Sequence, residues 1–206
     1  MSAPAPVPTD TDLDGLRAAA AGCTACPLYE NATQTVFGAG NPDARVLLVG
    51  EQPGDVEDRR GLPFVGPAGA VLWSCVEDAG IDRADLYATN AVKHFKHEVR
   101  GKRRIHQKPT TAEVQACHPW LDAEVRAVRP DVIVALGATA ARAVLGRNVG
   151  IAASRGNVHE AFGTTTLVTY HPSAVLRADD RAAEVRAALV EDLVRARDLS
   201  RPKRRG

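Results

Sequence analysis

Across its 206 residues the chain has few aromatic side chains, 4 % in all, and no apolar run approaching the roughly 20 residues that span a bilayer. The opening decapeptide, MSAPAPVPTD, has neither a basic segment nor an apolar one, which argues against a secretory signal. Its alternating prolines predict a flexible or extended lead-in over residues 1–10. Lacking both span and signal, the chain is expected in the cytoplasm, with no membrane partner. Only four cysteines are present. In a cytoplasmic chain of this length they argue for metal or cluster ligation, or for buried thiols, and against a disulfide framework. The first apolar strand is not followed by G-x-G-x-x-G, and no P-loop lysine occurs, so nothing supports binding of a nucleotide cofactor. There is no internal repeat and no dividing linker. The expectation is one domain over residues 11–199, followed by a basic tail at 200–206.

What is present alternates between two kinds of segment. ARVLLVG (44–50), DLYATNAV (85–92), DVIVALG (131–137) and TTTLVTYHPS (164–173) read as strands, the apolar ones as strands buried on both faces. TDLDGLRAAAAG carries a capping residue and stops at Gly22. PAGAVLWSCVEDAG (67–80) opens on Pro and closes on Gly. TTAEVQACHPWLDAEVRAVR (110–129) begins with a capping box, and Pro119 must bend or divide it. A last amphipathic helix follows Arg177. The fold class is therefore α/β, with helices on both faces of a parallel sheet. In such sheets ligands bind beyond the carboxyl ends of the strands, where GEQPG, NAVKH and HPS converge.

The charge is unevenly spread. The net charge is +1, yet Lys93 to Lys108 holds seven Lys or Arg against the single Glu98. A charge run is usually a solvated loop. Here it issues from the strand that carries Asn90 and so overhangs the cleft, as suits a surface following a phosphate backbone. Taken singly, the cleft residues have two readings each. Phe64, between Pro63 and Val65, either stacks on a planar ligand or caps the core. Asn90 either forms a turn or reads a base edge. His171, just past a strand, is either a structural histidine or a chemical one. Cys75, inside AVLWSCVED, reads as a small buried hydrophobe. His97, His118 and His159 attract no role.

In order along the chain, GEQPG, GLPFVGPAG, TNAVK and HPSAVLR resemble the uracil-DNA glycosylase superfamily, and within it the iron–sulfur members of its fourth family. The resemblance runs from about Cys23 to the last helix. More narrowly, GEQPG together with KRRIH resembles the branch whose members stay covalently attached to DNA after excising uracil. The resemblance implies a three-layer α/β/α fold around a four-stranded parallel sheet, uracil-containing DNA as substrate, base excision in DNA repair, and a monomer. It also makes Phe64 the surface on which a flipped uracil stacks, and Asn90 the reader of its O4 and N3–H edge. Gly50 borders that pocket. His171 becomes the donor to O2 as charge builds on the leaving base. Arg177 is a wedge or phosphate contact; the local charge makes Lys102 and Arg103 contacts to DNA phosphates or loop anchors.

The distinctive residue is then His106. Excision leaves an electron-poor C1′ that water ordinarily attacks. Gln52 stands where some families place a carboxylate, and its amide can orient a water or the sugar but cannot act as a base. A neutral imidazole is a better nucleophile than water, and surrounding cations favour the neutral form. Attack by His106 on C1′ would give a stable protein–DNA adduct, with Glu51 taking the second ring proton or stabilising the cationic sugar. Arg104 would help to hold the loop. A conventional, turning-over glycosylase and a non-catalytic metal-containing DNA-binding module are the alternatives.

Cys23-x-x-Cys26 needs two further ligands. In the fourth family a cysteine follows the strand bearing the Asn, and here that place in NAVKH holds His94. The resemblance thus implies a [4Fe–4S] cluster on Cys23, Cys26, His94 and Cys117, with the imidazole raising its potential. Chemistry alone would favour structural zinc for three Cys and one His.

Overall fold

The computed structural model describes residues 3–200; the basic tail from Arg201 lies outside the described residues. Among the described residues eight strands occur: β1 (Ala39–Gly40), β2 (Val46–Gly50), β3 (Leu86–Asn90), β4 (His97–Arg100), β5 (Arg103–His106), β6 (Val132–Leu136), β7 (Val158–Ala161) and β8 (Thr164–Thr169). The helices are α1 (Leu13–Ala20), α2 (Asp55–Arg60), α3 (Pro67–Asp78), α4 (Thr111–Val128), α5 (Ala138–Leu145), α6 (Ile151–Ser154), α7 (Ser173–Leu176) and α8 (Ala182–Ser200).

The four strands read from the sequence form the parallel core, in the order β3-β2-β6-β8. The sheet is wider than the expected four. Two short antiparallel strands, β1 against β3 and β7 against β8, bring it to six. Residue parity along β2 explains the layers. Leu47 and Val49 pack with α1, α4 and α5 on one face; Val46 and Leu48 pack with α3 and α8 on the other. Both leucines are fully buried, as expected of strands without a polar side. In the order of the parallel strands, direction reverses between β2 and β6, which makes that the topological switch point of the sheet.

Local signals act where the sequence places them. The Asp12 side chain accepts from Gly15 N–H at 2.9 Å to start α1. Thr110 and Glu113 form the capping box of α4. Pro119 lies inside α4 without dividing it.

The basic segment is not a loop but a two-stranded hairpin. β4 and β5 pair antiparallel from His97↔His106 to Arg100↔Arg103, closed by Gly101-Lys102. Gly101 has φ +60°, the conformation that the first position of such a tight turn demands. Its positive charge is also partly internal. Lys93 is buried against Glu124, Lys96 pairs with Glu113, and Arg104 pairs with Asp55 and Asp58. The lead-in is extended but pinned. Ala3 N–H bonds to Ala25 C=O (2.9 Å), Ala5 N–H bonds to Ala116 C=O (3.1 Å), and Ala5 is buried. No helix is long and apolar enough to cross a membrane among the described residues.

Candidate active site

The segments leaving the parallel strands wall one cavity of about 930 Å³. Glu51 and Gln52 follow β2, and Asn90 ends β3. Gly137 and Thr139 follow β6, and His171 and Ser173 follow β8. Phe64, His106 and Arg177 complete the wall. Arg177 also borders a second cavity of about 710 Å³ that includes Arg155 and Arg181. Arg104, Lys102 and Arg103 take no part in the first wall.

The floor is tightly specified. Gly50 lies under Asn90 and Phe64: a Cβ there would collide with the Asn90 amide oxygen and come within 2.7 Å of Phe64 Cζ. Phe64 is buried and holds φ +54°, a conformation costly for an aromatic residue. Trp73 supports it, donating from Nε1 to Phe64 C=O at 2.8 Å and meeting its ring edge-on at 6.3 Å. Asn90 is buried, yet its side-chain amide has no hydrogen-bond partner among the described residues, leaving both donor and acceptor for a ligand.

Behind Asn90 lies a buried polar network that the sequence reading did not single out. Lys93 Nζ meets Glu124 Oε2 at 2.5 Å, Thr89 Oγ1 at 2.6 Å and Asn90 C=O at 2.7 Å. Glu124 also accepts from Gly38 N–H, the Tyr87 hydroxyl and the Thr89 hydroxyl. Lys93 and Glu124 are 1 % and 0 % exposed, so this pair holds the end of β3 to α4 out of reach of water.

His171 has a defined tautomer. Its Nδ1 accepts from Ser173 N–H (3.2 Å) and stands 2.7 Å from Ser173 Oγ, which places the ring proton of the neutral form on Nε2. Burial, helped by the positive charge of Arg177, lowers its pKa to about 4. The ring is thus neutral at pH 7, with an N–H to donate.

His106 ends β5 with its Nε2 3.4 Å from Glu51 Oε1. Its pKa lies below the usual value, chiefly from partial desolvation in the cleft; Glu51 opposes that shift and Arg177 adds to it. The neutral form is favoured, but the nearby cations of KRRIH are not the principal cause. Glu51 is held from its other side, where Oε2 accepts the Thr139 hydroxyl.

Two predicted residues turn out to hold the hairpin. Gln52 Oε1 accepts from Lys96 N–H (3.0 Å), and its Nε2 donates to the carbonyls of Lys96 (3.2 Å) and Gln107 (3.0 Å). With both ends of its amide engaged it is not free to orient a water; it clamps the two stems. Arg104 bonds Asp58 Oδ2 at 2.6 Å, Thr33 Oγ1 at 3.1 Å and Asp55, across to α2 and the segment before it. Lys102 and Arg103 lie exposed at the turn and on β5.

Cys23, Cys26 and Cys117 lie apart from this cavity, on the α1–α4 side of the sheet. Trp120 Nε1–H donates to Cys23 Sγ (3.2 Å), and Lys93 N–H donates to Cys117 Sγ (3.3 Å). Burial raises the Cys26 thiol and pushes Cys117 up to about 12, with neighbouring thiols adding to both shifts. His94 is buried nearby. Thr35 Oγ1, which donates to Ala20 C=O, lies 2.9 Å from His94 Nε2, so that nitrogen is the donor and Nδ1 keeps its lone pair. The donor set suits a soft metal centre: buried or half-buried sulfurs, two of which already accept N–H bonds, and an imidazole nitrogen with a lone pair. Among the described residues, no three such side chains are drawn tightly enough around one point to hold a single ion. Cys75 is buried on the opposite face of the sheet, between α3 and the strands.

Residues 37–194 match the family model of the uracil DNA glycosylase superfamily. A type-4 uracil-DNA glycosylase of Thermotoga maritima is 42 % identical over 179 residues, 86 % of this chain and 88 % of that protein. One from Archaeoglobus fulgidus is 36 % identical over 162 residues, covering 75 % and 78 %. A type-5 uracil-DNA glycosylase of Pyrobaculum aerophilum is 35 % identical over 152 residues, covering 65 % and 63 %.

Proposed function

The chain belongs to the uracil DNA glycosylase superfamily, and from that premise we propose that it excises uracil from DNA and then bonds itself to the abasic sugar through His106, in the manner of the UdgX branch. The observation that carries this reading is the meeting of Phe64, Asn90 and His171 with the Glu51–His106 pair in one cavity.

The geometry supports the following chemistry. A flipped uracil stacks on Phe64 and meets the free amide of Asn90 at its O4 and N3–H edge; cytosine presents the reverse pattern. The C1′–N1 bond breaks with its electrons going to the base, and Nε2–H of neutral His171 donates to O2 as that charge develops. A lone pair of the neutral His106 ring then forms the bond to C1′. The ring proton on its other nitrogen passes to Glu51, leaving a neutral substituted imidazole. Arg177, Lys102 and Arg103 supply contacts to the DNA strand, and the protein works as a monomer.

Incubation with single-stranded uracil DNA and denaturing electrophoresis tests this directly. The expected result is free uracil together with an up-shifted protein–DNA band that His106→Ser abolishes. Uracil release with turnover and no shifted band would instead identify a conventional glycosylase. DNA binding without uracil release would identify a non-catalytic module.

Cys23, Cys26, His94 and Cys117 are proposed to hold a [4Fe–4S] cluster, a reading supported by the buried Cys26 and Cys117, the N–H donors to Cys23 and Cys117, and the resemblance to the fourth family. The cluster's role there is structural, tying α1 and α4 to the segment that feeds the hairpin. Four irons per chain and a brown colour are expected; stoichiometric zinc in a colourless protein would overturn the assignment.

A further inference from the structure

Glu51 and Thr139 face one another across the switch point of the sheet. Glu51 is the first residue after β2, and Thr139 lies in the first turn of α5, just after β6. Thr139 is 2 % exposed, and its hydroxyl donates to Glu51 Oε2. The same carboxylate turns its other oxygen, Oε1, toward His106 Nε2 at 3.4 Å. The terminal torsion of a glutamate is broad and nearly two-fold, so a carboxylate tethered at neither oxygen samples many orientations. A donor fixed to one oxygen removes that freedom. Thr139 is itself doubly constrained. Its branched side chain has restricted rotamers in a helix, and the start of that helix is wedged against the site. Gly137, the N-cap of α5, has φ +86°, and a Cβ there would stand 2.9 Å from His171 Cβ.

We propose that Thr139 is a positioning residue for covalent capture: its hydroxyl aims the Glu51 carboxylate at His106. It touches neither uracil nor sugar in this role and acts through Glu51. The inference rests on the covalent reading given above. Its effect falls on bond formation to C1′ and not on recognition of uracil, which belongs to Phe64, Asn90 and His171.

The test compares the wild type, Thr139→Val, Thr139→Ala and Thr139→Ser under single-turnover conditions, measuring released uracil and denaturant-resistant adduct in the same samples. Two variants lacking the hydroxyl are used so that a folding defect in one leaves the other informative. Removing a hydrogen bond to a charged partner is expected to slow adduct formation about tenfold or more. Uracil release should change by less than about threefold, so that free abasic product appears. Ser, which restores the hydroxyl, should bring the adduct rate back to within about threefold of wild type. A wild-type adduct rate in Val and Ala overturns the proposal. So does an adduct rate in Ser as slow as in Val, which would mean that packing matters and the hydroxyl does not. Failure of the covalent reading looks different: the wild type itself then gives no adduct, and the role of Thr139 falls with it.

Discussion

Replacing Arg104 by Ala should separate excision from capture. β4 and β5 pair only with each other, and a two-stranded hairpin is marginal by itself in water. What fastens it to the body is a small set of side chains, with Arg104 reaching furthest, to Asp55, Asp58 and Thr33. Asp58 is fully buried, and without Arg104 its carboxylate keeps only the Thr33 backbone N–H among the described residues. Breaking a buried pair costs about 3–5 kcal/mol, and because Arg104 is 15 % exposed, solvent screening reduces this to about 2–3 kcal/mol. If that loss falls on hairpin docking, the docked fraction relative to undocked drops roughly 30- to 150-fold, and on the covalent reading proposed above the rate at which His106 meets C1′ drops with it. Gly50, Phe64, Asn90 and His171 stand on the main sheet or its loops, so uracil release should persist. The assay is a single-turnover time course scored for free uracil and for the shifted band. Adduct formation at the wild-type rate in a folded Arg104→Ala protein would refute this argument. So would excision and capture falling in equal measure.

Lys93→Met leaves Glu124 buried with no cation and should destabilise the fold by about 3–5 kcal/mol, seen as a melting point lowered by about 10 °C or more. Adding Glu124→Gln should recover at least about 1 kcal/mol, and a strictly additive double-mutant cycle would contradict the pairing. Gly50→Ala drives a methyl into the Asn90 amide and toward the Phe64 ring, so uracil excision should fall at least about tenfold while stability falls by about 1–3 kcal/mol. His171 contributes a pH dependence with a definite sign. Its folded pKa near 4 lies below the ordinary 6.5, so the unfolded chain takes up the proton first. Stability is therefore unaffected by His171 above about pH 6.5 and is lost as pH falls from there to about 4, by about 3 kcal/mol in total. Urea melts across that range should show a shallower slope in His171→Gln than in the wild type.

Much of the site was legible because a parallel sheet brings its strand ends together, and the residues after VLLVG, LYATN and TTTLVTY carry the polar groups. The same rule applied to VIVAL points to GAT, yet Thr139 was missed because neither Gly nor Thr there carries a charge or a recognised motif. Gln52 was seen but its task was not, since an amide's partners are fixed by backbone carbonyls distant in sequence. The hairpin was hidden by its cations, because HEVR and RRIH offer only Val99 and Ile105 as apolar markers on either side of the turn. The buried pair of Lys93 and Glu124 was the least accessible. They lie thirty-one positions apart, and each taken alone looks like surface charge.

Gln107 N–H bonds to Lys96 C=O at 2.9 Å, so the stems of the hairpin meet where it leaves the body, and Gln52 seals that junction. Everything beyond the junction is thereby an insert whose removal leaves its two attachment points already adjacent. Evolution could lengthen, exchange or delete such a cassette without re-engineering the scaffold beneath. On the covalent reading proposed above, a lineage could gain or lose self-tethering in a few mutational steps, and a protein engineer could attempt the same transplant onto another member of the superfamily.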